Sequence, residues 1–233
     1  MNYLYLLLNI GSLSVPFLFS FHPKLKFYKY WKSLAISIVI TMLFYIPWDV
    51  LFTQNGFWGF NDTYFLGQKF LGLPIEEWLF FICIPYACVF THHSLLYYFP
   101  DKKLSEGFTK KLSYCLIILF LFLSIFFYSK WYTLVNFSYA VILLLLVMKY
   151  NLQLLRTYYL TFIVMLIPFF IVNGILTGSC IENEVVWYND AENLGIRLFT
   201  IPIEDSIYAF TLILTNLVLT EFFQSKLLNK QFV

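Results

Sequence analysis

Residues 73–80 read Leu73-Pro74-Ile75-Glu76-Glu77-Trp78-Leu79-Phe80, and from Trp78 to Pro100 the chain carries no Asp, Glu, Lys or Arg. An α-helix needs about 20 predominantly apolar residues to cross a bilayer, so 75–98 reads as a transmembrane span with an acid pair at its mouth. Working outward, further apolar runs lie at 3–21, 33–53, 112–128, 131–148, 157–178 and 203–223. The reading is an all-α, polytopic membrane protein of about seven transmembrane helices. Composition agrees. The chain is 61% hydrophobic and 12% charged, about half the charge of a soluble domain, so lipid must cover what polar groups do not. The formal net charge of +2 gives no reason to expect a nucleic-acid partner.

The acid pair occurs twice. Residues 201–208 read Ile201-Pro202-Ile203-Glu204-Asp205-Ser206-Ile207-Tyr208. Leu66-Gly67 before the first copy is matched by Leu194-Gly195 before the second, and Asp49 and Thr53 are matched by Asn173 and Thr177. Each copy is a helix, a loop and a returning helix, both running the same way through the bilayer. Adding the preceding helix makes two parallel three-helix repeats, which imply a pseudo-twofold axis along the membrane normal. The expected organisation is a first repeat over 1–98, a connector with helix 4 over 99–130 and a second repeat over 131–233. The two motif sites are expected to face each other in the outer half of the bundle.

The loops set an expected orientation. Lys24, Lys26, Lys29, Lys32, Lys102, Lys103, Lys110, Lys111, Lys149, Arg156, Lys226 and Lys230 all fall on one side of a seven-span chain. Only Lys69, Lys130 and Arg197 fall on the other. Basic loops mark the cytoplasmic side, so the N-terminus is expected outside and the C-terminus in the cytoplasm of a prokaryotic cell. The first apolar run has no basic residue ahead of it and lysines after it, the reverse of a signal peptide. Most acids gather on the opposite, outer side. The orientation rule does not require that, and it points to a site there.

Pro74 and Pro202 stand where helices begin, and carboxylates in a first helical turn are stabilised by the helix dipole. Ordinary capping is therefore the plain account of Glu76, Glu77, Glu204 and Asp205. Their duplication beside apolar helices favours a functional one. Adjacent helical residues point about 100° apart, so one acid of each pair faces the site while the other caps or binds a partner. Glu76 and Glu204 match in type and are preferred as the site acids, with Asp49 and Asn173 ending the preceding helices nearby. A carboxyl must carry its proton to act as a general acid, and apolar surroundings favour that form. His92 and His93 read as interface residues far from the acids. Asn9, Asn173 and Asn216 read as intramembrane polar groups whose role is helix–helix hydrogen bonding. Cys83, Cys88, Cys115 and Cys180 have no CxxC spacing, so neither a disulfide framework nor a metal site is expected.

The stretch from Pro47 to Thr91 holds Trp48-Asp49, Gly56-x-Trp58, Leu66-Gly67 and Leu73-Pro74-Ile75-Glu76-Glu77. It resembles the lycopene cyclase domain of the heterodimeric type, with both halves fused in one chain. Both copies fit that family's Pro-x-Glu-acid motif. The second departs in having Asn173 for Asp49, followed by Gly174. The resemblance implies conversion of the ψ end groups of lycopene, or a similar acyclic carotene, to β-ionone rings, with a carotenoid substrate and other carotenoid enzymes as candidate partners. A carboxylic acid would protonate the terminal double bond, and a base would remove a ring proton from the cyclised cation. No net redox change occurs, and the chain has no GxGxxG motif, so no cofactor is expected. The 28 Phe and 18 Tyr offer π faces to a carbocation. Rival readings are a hydratase on the same scaffold and a proton-coupled transporter using the acids as a relay.

Overall fold

The computed structural model describes residues 3–229 and contains seven α-helices. They are α1 (Leu4–Phe19), α2 (Trp31–Gln54), α3 (Ile75–Tyr98), α4 (Glu106–Phe126), α5 (Trp131–Tyr150), α6 (Leu152–Leu176) and α7 (Ile203–Asn229). All but α1 are long and apolar enough to cross a membrane. The protein is an all-α polytopic membrane protein. With 16 residues, α1 rises about 24 Å, short of a hydrocarbon core of about 30 Å. Lys230 of the basic tail lies outside the described residues.

The chain divides into two compact units. The first comprises residues up to Tyr98 together with those from Leu212 onward. In it α1 and α2 both pack on α3, and Tyr5, Tyr45, Leu73, Phe81 and Val89 form a fully buried apolar core. Polar groups tie α2 to the later part of α7. Ser37 Oγ donates to the Asn216 carbonyl at 2.9 Å, and Ser33 Oγ donates to Gln224 Oε1 at 2.8 Å. Interhelical bonds of this kind typically contribute about 0.6–2 kcal/mol in a bilayer. Between α2 and α3 the chain forms short extended pieces, β1 (Trp58–Phe60), β2 (Lys69–Phe70) and β3 (Leu73–Pro74), of which β2 and β3 form an antiparallel hairpin.

The second unit spans Phe99–Thr211. Here α4 packs along α5, and both touch α6. Its core includes Ala140, Leu144, Leu155 and Tyr158, whose hydroxyl donates to the Phe210 carbonyl at 2.7 Å. The loop from α6 to α7 repeats the earlier one, with β4 (Val186–Tyr188), β5 (Arg197–Leu198) and β6 (Ile201–Pro202), and β5 pairs with β6. Two helices begin earlier than the apolar runs suggest. Ser105 caps α4 by accepting from the Phe108 N–H, and Asn151 caps α6 by accepting from the Leu154 N–H. A capped first turn is helical although it is polar. Pro74 and Pro202 sit in the strands immediately before α3 and α7, not in the first helical turn.

Candidate active site

In the first unit, Glu76 enters at the start of α3 with no solvent exposure. Its Oε1 accepts from the Leu66 N–H at 2.8 Å, whereas Oε2 is buried and has no hydrogen-bond partner. The carboxyl therefore does not cap its own helix; it holds the preceding loop. Gly67, which follows Leu66, has φ +82°, a left-handed conformation open to glycine at little cost. That explains the Leu-Gly pair. The main chain of the same residue receives α1, since Asn9 Nδ2 donates to the Glu76 carbonyl at 2.8 Å. Glu77 accepts from the Tyr5 hydroxyl. Asp49, 2% exposed, accepts at Oδ1 from Trp58 Nε1 at 2.7 Å. Trp58 belongs to a run of packed aromatic rings: the Phe52 ring lies 5.0 Å from that of Trp58 and 5.7 Å from that of Trp48, and Tyr45 bridges Trp48 and Phe81.

The second unit rebuilds the arrangement. Glu204 Oε1 accepts from the Leu194 N–H at 2.8 Å, and its Oε2 is buried without a partner. Asn136 Nδ2 donates to the Glu204 carbonyl at 2.6 Å, and Tyr132 donates to Asp205 Oδ1 at 2.6 Å. Asn173 Nδ2, at the position that matches Asp49, donates to Asp205 Oδ2 at 2.9 Å. Differences are local. Thr133 adds a second donor to Glu204 Oε1 at 2.7 Å where the first copy has Leu6, and Tyr188 adds a third donor to Asp205 at 2.9 Å.

All six residues singled out from the sequence thus take part, as two sets of three: Asp49, Glu76 and Glu77 in one unit, Asn173, Glu204 and Asp205 in the other. The family profile described as lycopene cyclase matches residues 2–95 and again 129–223. The chain belongs to the lycopene cyclase family. Neither a curated protein nor a solved structure matches the chain. Membership assigns a carotenoid cyclase role and a carotenoid substrate in a membrane, and each matched region carries one pair of buried acids, Glu76 with Glu77 and Glu204 with Asp205.

Tyr5, Tyr132 and Asn136, which hold the acids in the two halves, went unread, and Asn9 was read without its partner. The signal was present as Tyr-x-x-x-Asn in α1 and again, 127 residues later, in α5. Asn9 does make the helix–helix bond expected of it, but to the main chain of a motif acid. A further matched pair clasps the loops. Lys69 lies 3.0 Å from Asp62, and Arg197 lies 2.7 Å from Asp190. His92 is fully buried, and the His93 ring lies 4.3 Å from that of Tyr30. Among the described residues no group of three or more His, Cys, Asp or Glu is placed to hold a metal ion.

Proposed function

We propose that the chain is a lycopene β-cyclase, an isomerase that closes ψ end groups of lycopene or a similar acyclic carotene into β-ionone rings by acid–base catalysis. The observation that carries this reading is the shared state of Glu76 and Glu204. Each has one carboxyl oxygen fixed by a backbone N–H and the other buried and unpartnered. A buried polar atom left without a partner is costly, and at a reaction centre it is an atom awaiting its partner. The proton passes from a carboxyl oxygen to the terminal double bond, leaving a tertiary cation. The neighbouring double bond attacks that cation, forming the ring bond and moving the charge into the ring. A carboxylate then takes a ring proton, and its C–H electron pair becomes the ring double bond. Atoms and electrons balance without an oxidant or reductant. The rings of Tyr45, Trp48, Phe52, Trp58 and Phe81 offer π faces to the cation and keep out water that would quench it.

The repeat boundaries at 1–98 and 131–233, with a connector between, belong to the same reading. So do an outward N-terminus in a prokaryotic cytoplasmic membrane and association with enzymes that supply or consume a membrane-bound carotene. The test is expression in cells that accumulate lycopene, followed by chromatography of the pigments. Carotenes with β-rings are expected. A hydroxylated acyclic product would instead assign a hydratase, and unchanged lycopene would defeat both and leave the transporter reading.

A further inference from the structure

The second unit holds a cavity far from its acids. The volume is 190 Å³, and Lys110 and Tyr114 of α4 line it together with Leu145, Met148 and Lys149 of α5. Lys149 stands one residue before the end of α5, and Lys110 stands in the second turn of α4. Tyr132, which holds Asp205, lies 17 residues before Lys149 on the same helix, about 25 Å along its axis. The acids and the cavity therefore sit near opposite ends of one membrane-spanning helix. A charge is costly at the bilayer centre, and both lysines avoid it by standing near helix ends, at head-group level. Each ammonium group has an exposed neighbour. Lys110 Nζ lies 2.6 Å from Glu106, with the two side chains 50% and 54% exposed, and Lys149 Nζ lies 5.0 Å from the centre of the Tyr150 ring. An exposed ion pair contributes little, so neither contact bars a stronger anion.

Deeper than the lysines the surface is apolar. Tyr114, Ile118 and Phe122 follow one another at four-residue spacing along α4 and are exposed, as are Leu145 and Ile142 on α5. Tyrosine favours the boundary between head groups and hydrocarbon. From the helix ends inward the order is two cations, a tyrosine and an aliphatic track. An anionic phospholipid has the matching order of phosphate, ester linkage and acyl chain. Basic pockets between transmembrane helices suit anionic head groups. We propose that the cavity between α4 and α5 binds one anionic phospholipid of the surrounding bilayer, with its phosphate between Lys110 and Lys149 and an acyl chain along Ile118, Phe122 and Ile142. Inorganic phosphate would meet the two cations and leave the apolar track unused. A zwitterionic lipid would use the track but bring its own cation up to the lysines.

The probe is phosphatidylglycerol, titrated into the purified chain in mild detergent, with bound lipid counted by native mass spectrometry. One phosphatidylglycerol is expected to bind more tightly than phosphatidylcholine. A lysine beside an anionic head group is worth about fivefold in affinity, so Lys110→Gln and Lys149→Gln should each lose about fivefold and the two together roughly thirtyfold. Lys110→Arg with Lys149→Arg keeps both charges and should bind as the parent does. Lys102→Gln with Lys103→Gln, in the loop before α4 and outside the cavity, should keep most of the affinity. Thermal unfolding in detergent without lipid should match the parent, which shows that the losses are losses of binding. Ile118→Ala with Phe122→Ala tests the apolar end if the glutamine variants fail to fold; it should weaken phosphatidylglycerol while keeping the preference over phosphatidylcholine. Excess inorganic phosphate should not displace the lipid. Equal binding of the two lipids, an equal loss with the loop pair, or displacement by inorganic phosphate would each overturn the proposal. They would leave an apolar groove, a diffuse basic surface and a simple phosphate site respectively.

Discussion

Glu76 and Glu204 begin helices that they do not cap. Each reaches back ten residues to a loop N–H, through Leu66 and Leu194 respectively. Both stand in a first helical turn, where the helix dipole favours a carboxylate, and substitution separates that role from catalysis. Glutamine keeps a carbonyl oxygen to accept the loop N–H but has no acidic proton. Glu76→Gln and Glu204→Gln should insert and fold as the parent does, while cyclised carotene falls about 10²–10⁴-fold, read by pigment chromatography. Near-normal product from both would sink the catalytic role. Asn9 and Asn136 belong to the support of these acids. Asn9→Leu and Asn136→Leu should each lower stability by roughly 0.6–2 kcal/mol, the usual worth of an interhelical hydrogen bond in a membrane, measured by unfolding in mixed micelles. The acids were legible because charge beside an apolar run is conspicuous. Asn9 was visible only as a generic polar group, because its partner is a backbone carbonyl, and every residue offers one.

The α2–α3 and α6–α7 loops are the elements that bring the acids to their places. In each, a helix-start N–H reaches into the loop: Tyr5 N–H donates to the Tyr64 carbonyl at 3.1 Å, and Tyr132 N–H to the Glu192 carbonyl at 2.9 Å. Ile75 and Ile203 N–H close the hairpins onto the Gln68 and Ile196 carbonyls. Gly195, at φ +69° with open space around a would-be Cβ, matters for its backbone angle and not for its size. Gly195→Ala should therefore cost about 1–2 kcal/mol and loosen the N–H of Leu194 from Glu204, lowering cyclisation. Gly11→Ala is the control, since that glycine is helical with nothing within 4 Å of where an alanine methyl would stand, and alanine there should gain about 0.5–1 kcal/mol. Thermal unfolding in detergent reads both, and equal effects would refute the backbone argument. The seven helices were legible from apolar runs. The two-residue strands were not, because a pair of residues has no periodicity to read, and the polar first turns of α4 and α6 were lost for want of apolar residues.

Across the whole chain the basic residues sort by loop, and the three exceptions now have a local account. Lys69 pairs with Asp62, Arg197 pairs with Asp190, and Lys130 Nζ donates to the Asp190 and Ala191 carbonyls at 3.2 and 3.4 Å. These cations are employed within the loops that carry them. Exposed ion pairs contribute little, about 0–1 kcal/mol, so they fasten loops more than they stabilise the fold. They also give part of the excess of acids in these loops another reason, since Asp62 and Asp190 serve the loop clasps. The basic residues of the opposite loops would set orientation by the usual rule, in which Lys and Arg count and acids count little. Cysteines placed singly between residues 182 and 192, in a chain whose own exposed Cys115 and Cys180 are replaced by serine, should react with a membrane-impermeant maleimide in intact cells. A cysteine placed at Lys103, on the opposite side, should react only after the membrane is opened. The reverse pattern would invert the topology and put the acid sites on the cytoplasmic side. Labelling at both positions in intact cells would mean that α4, α5 and α6 do not each cross the bilayer.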